Sequence, residues 1–97
     1  MASVRGLKKD IQFLTEIVIT DAIYVSEMLL EKDKQEKADE VIVGAVDMYN
    51  NLIDRTNHPD GKDNPKIVKK HYKKVSEDLL NQTDELLSTL NKLLDLE

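Results

Sequence analysis

Residues 64–97 read NPKIVKKHYKKVSEDLLNQTDELLSTLNKLLDLE, and the spacing of this stretch decides the fold. Asn64 followed by Pro65 is a helix-opening pair. The asparagine side chain can accept from first-turn amides, and proline at the first helical position gives up an N–H that has no partner there. Apolar residues then recur as Val68, Tyr72, Val75, Leu79, Leu86, Leu90 and Leu93, flanked by Leu80, Leu87 and Leu94. Steps of three, four and seven residues keep one face of a helix. The phase survives the polar pair Gln82 and Thr83, so one continuous helix is predicted over 65–96.

Working back from there, residues 56–64 form the clearest loop, with the turn dipeptide Asp60-Gly61 ahead of Asn64. A second helix is predicted over 34–55, with Ala38, Val41, Ile42, Ala45, Met48, Tyr49, Leu52 and Ile53 on its apolar face and Val46 at one edge. Asp33 and Glu36 read as a variant capping box at its start. Gly44 inside it costs about 1 kcal/mol against alanine. A first helix is predicted over 4–31, its seam being Val4, Leu7, Ile11, Leu14, Val18, Val25 and Met28. Ala22 and Leu29 widen that seam on one side, and Phe13, Ile17 and Tyr24 on the other. Ile19, Ile23 and Leu30 fall on the far face, so the second half of this helix is apolar nearly all round, as in a helix enclosed by neighbours. With no Gly or Pro between them, the first two helices need only a short connection and run antiparallel. The expected fold is all-α: an up-down-up three-helix bundle with a long C-terminal helix, one domain over 1–97. The third helix outruns the second by about ten residues, roughly 15 Å, which leaves the leucines from Leu87 onward short of a neighbour.

Ninety-seven residues suffice for one core. A hydrophobic share of 40% beside 34% charged residues suits a bundle with a solvated exterior. The absence of cysteine removes disulfides, thiol catalysis and thiolate metal sites. It also fits a reducing compartment. The first residues show no signal-peptide apolar region, and the longest apolar run, Ala22-Ile23-Tyr24-Val25, is far below the roughly 20 residues of a membrane span. A cytoplasmic protein without a membrane role is the expectation.

No motif with chemical content emerges. Glu-x-x-His pairs, the His-Glu-x-x-His helix, a calcium loop around Gly61 and the glycine patterns of nucleotide binders are all missing. No catalytic residue, metal ligand or cofactor is therefore assigned. Asp10 and Asp21 fall within or beside the first seam. A buried lone carboxylate is one way active sites are made, but such residues more often sit at a seam edge. If the first and third helices run the same way, Asp10 and His71 lie at similar heights and can pair. The enzyme reading rests on a site near Asp10, His58 and His71, and it ranks last.

Charge is unevenly placed. Residues 1–10 and 54–75 share one end of an up-down-up bundle and carry ten basic side chains against four acidic, a surplus of six. The other residues carry four lysines against fifteen acids, a deficit of eleven, which completes the net charge of −5. Lys66, Lys69, Lys70, Lys73 and Lys74 crowd a helix start, where cations oppose the dipole and repel one another. With Lys62 and Arg55 they form a candidate anion-binding set. A polyanion or nucleic acid is a possible partner, though not the favoured one: overall charge is negative, and Tyr72 sits on the core seam, poorly placed to stack on bases. The favoured function is a non-enzymatic interaction protein, a homodimer or one half of a protein–protein complex. Its candidate interface is Ile19, Ile23 and Leu30 with Leu87, Leu90 and Leu94.

Two segments, Gly6-Leu7-Lys8-Lys9-Asp10-Ile11 and residues 57–66 continuing to Tyr72, resemble a family of small uncharacterised all-helical proteins from Bacteroidetes. The resemblance implies a compact helical fold and a bacterial cytoplasmic setting. It carries no activity and no catalytic residue.

Overall fold

The computed structural model describes residues 4–61 and 63–95. They form three helices, α1 (Val4–Met28), α2 (Lys32–Asn57) and α3 (Pro65–Asp95), each packed against the other two. The apolar periodicity sets their inward faces. α1 buries Leu7, Ile11, Thr15, Val18, Ala22 and Val25. α2 buries Ala38, Val41, Ala45, Met48, Leu52 and Thr56. On α3 the buried positions are Val75, Leu79, Thr83, Leu90 and Leu93.

The core has two halves. In one, Leu7 and Ile11 meet Met48, Leu52, Val75 and Leu79. In the other, Val18, Ala22, Val25 and Leu29 meet Ala38, Val41, Ala45, Leu90 and Leu93. The start of α1 thus packs on the end of α2 and the start of α3. This is the up-down-up order, stretched into a body of 53 × 18 × 16 Å. Polar side chains fall at the junction of the halves. The Thr83 hydroxyl donates to Met48 Sδ at 3.8 Å, and the Thr15 hydroxyl donates to the Ile11 carbonyl at 2.7 Å. A hydroxyl that donates to its own helix keeps its partner wherever the helix packs. The step from Ile11 to Thr15 is four residues, and three-four alternation begins only after it. Thr15 therefore takes the inward position at which the seam changes phase.

The first connection differs from its sequence reading. α1 ends at Met28, short of Glu31, and α2 starts at Lys32, ahead of Lys34. Asp33 is no cap: Glu31 precedes the helix in extended conformation (φ −88°, ψ 130°) and makes no side-chain capping bond. Leu29 explains the shift. It is 1% exposed, so the chain must turn directly after delivering it to the core. Gln35 holds that turn, its Nε2 donating to the Leu29 carbonyl at 2.7 Å. Asp33 lies inside the first turn and serves there as an acid near the positive helix end.

Because α2 starts early and runs on to Asn57, α3 outruns it by only five residues, 31 against 26. The expected ten-residue overhang does not exist. Leu90 and Leu93 are core residues, while Leu96 lies outside the described residues. Val4 and Met28, assigned to the seam of α1, are 39% and 50% exposed, since the inward row leaves its ends through Leu7 and Leu29.

Asn64 caps α3. Its Oδ1 accepts from the Lys66 amide at 3.0 Å and the Ile67 amide at 3.4 Å, while Pro65, ahead of both, has no N–H to satisfy. Gly61 takes φ 69°, where a Cβ is strained and would also overlap the Ile67 side chain.

Gly44 is explained by a neighbour: a Cβ there would stand 3.1 Å from Leu86 Cδ2 on α3. Leu86 is only half-buried and borders an open cleft with Gln82 and Glu85, so it can yield. Gly44→Ala is expected to stabilise the fold by about 0.5 kcal/mol, helix propensity exceeding the slight crowding. Urea unfolding measures it, and a lowered midpoint would show that Leu86 cannot move.

Among the described residues no helix is long and apolar enough to cross a membrane.

Candidate functional site

The basic end is built where the last turn of α2 meets the first turns of α3. Its lysines do not all stand free. Arg55 Nη1 lies 2.9 Å from Asp78 Oδ2, and Lys74 Nζ lies 3.0 Å from Asp78 Oδ1, so one carboxylate ties down two of the candidate cations. Burial pushes the Asp78 carboxyl up, yet hydrogen bonds and charge from Lys74 and Arg55 outweigh it and hold the group below its ordinary value. Lys66, Lys69, Lys70 and Lys73 have no ion pair among the described residues, and Lys62 lies outside them. These four exposed lysines point away from the core, because Val68, Tyr72 and Val75 occupy the inward side of the same turns.

Beside them is an open cleft of about 420 Å³ lined by Asp54, Arg55, His58, Asp60, Lys70 and His71 among others. His71 Nε2 lies 2.6 Å from the Arg55 carbonyl. A carbonyl only accepts, so Nε2 carries the proton. The other ring nitrogen faces Asp60 Oδ2 at 3.7 Å. His58 Nδ1 donates in the same way to the Asp54 carbonyl at 3.0 Å. Tyr72 completes the clasp, its hydroxyl donating to the Thr56 carbonyl at 3.2 Å. The Arg55 and Thr56 carbonyls belong to the last turn of α2, where partners within the helix run out, whereas the Asp54 carbonyl also accepts from the His58 backbone N–H at 3.0 Å. The two histidines bind helix to helix and loop to helix, a structural use of both rings.

Asp10 does not pair with His71. It is exposed and borders a cleft with Phe13, Ser76 and Leu80, whereas His58 and His71 line the cleft at the end of α2. Asp21 is exposed too. No cluster of three or more His, Asp or Glu suited to a metal occurs among the described residues.

The candidate interface residues separate into two flanks. Ile19 is half-buried and borders a cleft with Val46 and Tyr49 of α2; it does not lie opposite the seam, because the core wraps that far round α1. Ile23, four residues on, shares this flank at 47% exposure, and Leu30 in the connection is 92% exposed. Leu87 and Leu94 are half-buried on the opposite flank, and Leu90 is sealed in the core at 2% exposure, out of reach of any partner.

That opposite flank, between α1 and α3, holds the larger apolar surface. Phe13, Tyr24 and Met28 on α1 are 61%, 64% and 50% exposed, and Leu80 on α3 is 63% exposed. Phe13 and Leu80 border the same cleft, and half-buried Ile17 and Leu87 extend the strip. The interface expected from sequence omitted Phe13, Tyr24 and Leu80. Their signal was present, since they sit at the edges of the apolar stripes, but nothing in one helix says which edge a neighbour covers.

Comparison with protein-family models, with curated proteins and with solved structures finds no match.

Proposed function

We propose that this is a non-enzymatic helical interaction protein that self-associates or docks a partner through apolar helix faces, foremost the flank between α1 and α3. The exposure of Phe13, Tyr24, Met28 and Leu80 on adjoining helix edges carries this reading. Large apolar side chains left half or more in water forgo much of the gain of burial, and covering what remains of each is worth about 1–2 kcal/mol. Contiguous exposed patches of this kind mark contact sites. A bacterial cytoplasmic setting goes with the reading, a cysteine-free chain needing no oxidising compartment.

Sedimentation equilibrium at tens of micromolar is the test. The parent chain is expected above the mass of one chain, and the double variant Phe13→Asp, Leu80→Asp at one chain's mass with unchanged helix content. A parent chain that stays single throughout would end self-association.

A second reading, binding of a polyanion or nucleic acid, is favoured by the four outward lysines without ion pairs. Its affinity would fall steeply with salt, whereas apolar association is nearly indifferent. Against it, Asp78 engages Arg55 and Lys74, and the Tyr72 hydroxyl is held at Thr56.

A further inference from the structure

Charge along the flank between α1 and α3 has one sign. From Asp10 to Met28, α1 carries Asp10, Glu16, Asp21 and Glu27 and no lysine or arginine. From Val75 to Leu90, α3 carries Glu77, Asp78, Asp84 and Glu85, again with no basic residue. Some of these acids face elsewhere. Asp78 is held by Arg55 and Lys74, Glu16 borders the cleft with α2 at Ile19 and Val46, and Glu85 borders the one at Gly44. Glu27 follows Glu16 by about three turns and falls on its side of α1. Lys9, seven residues before Glu16, and Lys92, seven after Glu85, likewise lie toward α2.

Asp10, Asp21 and Asp84 stand within the apolar strip itself. Asp10 lines the cleft that holds Phe13 and Leu80. Asp21 comes four residues after Ile17 and three before Tyr24, and Asp84 four after Leu80 and three before Leu87. Each therefore shares a helix edge with those apolar side chains. All three acids are exposed, and none has an ion pair among the described residues. The nearest lysine on this edge of α3, Lys73, lies seven residues before Leu80, about 10 Å toward the basic end.

We infer that the occupant of this flank is an amphipathic helix of another protein, apolar along one side and edged with lysine or arginine. The inference rests on the reading proposed above, that this flank is a contact face, and adds the chemistry of the partner. A helix lying along two neighbouring helices turns its apolar row into the groove between them and its margins toward the residues on either side. Here the row covers Phe13, Ile17, Leu80 and Leu87, while the margins meet Asp10 and Asp21 on one side and Asp84 on the other. Opposite charge at those margins favours and orients the partner. A second copy of the chain fits less well. Docked on the same strip it sets acids against acids, which disfavours docking. Its own lysine-rich segment cannot serve instead, because the apolar side of that segment, Tyr72 and Val75, is taken up in the core. Self-association at this flank is thus the weaker occupancy, and a basic helix displaces it.

The probe is a fluorescein-labelled peptide of about 18 residues, roughly 27 Å long as a helix, with one leucine row edged by lysines. Its counterpart carries glutamate at every lysine position. Fluorescence anisotropy at physiological salt is expected to show the lysine peptide bound at least about tenfold more tightly than the glutamate peptide. In the triple variant Asp10→Asn, Asp21→Asn, Asp84→Asn that preference should fall below about threefold. The control Glu36→Gln, Glu40→Gln, Asp47→Asn removes as much charge from exposed positions on α2 and should keep the preference, which separates the strip from overall charge. Circular dichroism checks that both variants fold. Equal binding of the two peptides, a preference that survives the loss of Asp10, Asp21 and Asp84, or one lost equally in the control would overturn the basic partner while leaving an apolar contact face. A chain that sediments as a dimer and binds neither peptide would overturn it in favour of a second copy. A single-chain mass with neither peptide bound would overturn the partner and the contact face together.

Discussion

Leu52→Ala is expected to remove about 3 kcal/mol of stability, the largest loss of any substitution considered for this chain. Leu52 is 0% exposed and lies in the half of the core shared with Leu7, Ile11, Met48, Val75 and Leu79. All three helices contribute to that cluster, so truncation empties a space that no single helix can close by shifting. Small domains have net stabilities of about 5–15 kcal/mol, so the loss is a large fraction of the whole. It corresponds to a melting temperature lowered by roughly 15 °C in a domain of this size. Urea unfolding should show a lower midpoint at an unchanged slope. Val43→Ala is the control: 61% exposed on α2 and outside the proposed contact faces, it should not lower stability. A Leu52→Ala loss below about 1 kcal/mol would mean that the core collapses around the gap and is looser than its burial indicates.

The helices were legible in the sequence because apolar periodicity is a local signal. Leu7, Ile11, Val18 and Val25, then Ala38, Val41, Ala45, Met48 and Leu52, then Val75, Leu79, Leu90 and Leu93 all lie inside, as their spacing requires. The start of α3 was equally plain, because Asn64 and Pro65 act on their own first turn. The start of α2 was not. A capping pair is also local, but the pull on Leu29 comes from Ala38, Val41 and Leu93 in other elements, and it overrides Asp33. The same blindness affects surfaces. A helical wheel places Ile19 opposite the seam, yet α2 sits beside it at Val46 and Tyr49. Phe13 and Leu80 emerge as a pair only once α1 and α3 lie side by side. The basic end was visible as composition, whereas its partial neutralisation was not, since Asp78 reaches Arg55 across two helices.

That carboxylate supports the second large effect. Asp78→Asn is expected to cost about 1–2 kcal/mol at pH 7, because two charge-assisted hydrogen bonds lose their anion at a site largely screened from water. Most of the cost belongs to Arg55, whose side chain is 27% exposed; Lys74, at 64%, contributes little after solvent screening. The pH dependence has a definite sign. Lys74 and Arg55 hold the folded-state carboxyl below its ordinary 3.8 against the opposing effect of burial. The folded protein therefore binds this proton less readily than the unfolded chain, and the ion pair stabilises the fold above pH 3.8. That contribution is lost as pH falls below 3.8 and through the folded-state value. Asparagine does not titrate. The parent chain should thus exceed Asp78→Asn in stability by the full amount at pH 7, and the difference should shrink as unfolding is repeated toward pH 3. Arg55→Gln in both backgrounds isolates the pair: removal of Asp78 should cost less once Arg55 is gone. A difference independent of pH would mean that the asparagine amide loses through shape or hydrogen bonding alone, and that charge has no part in joining α2 to α3 at this end.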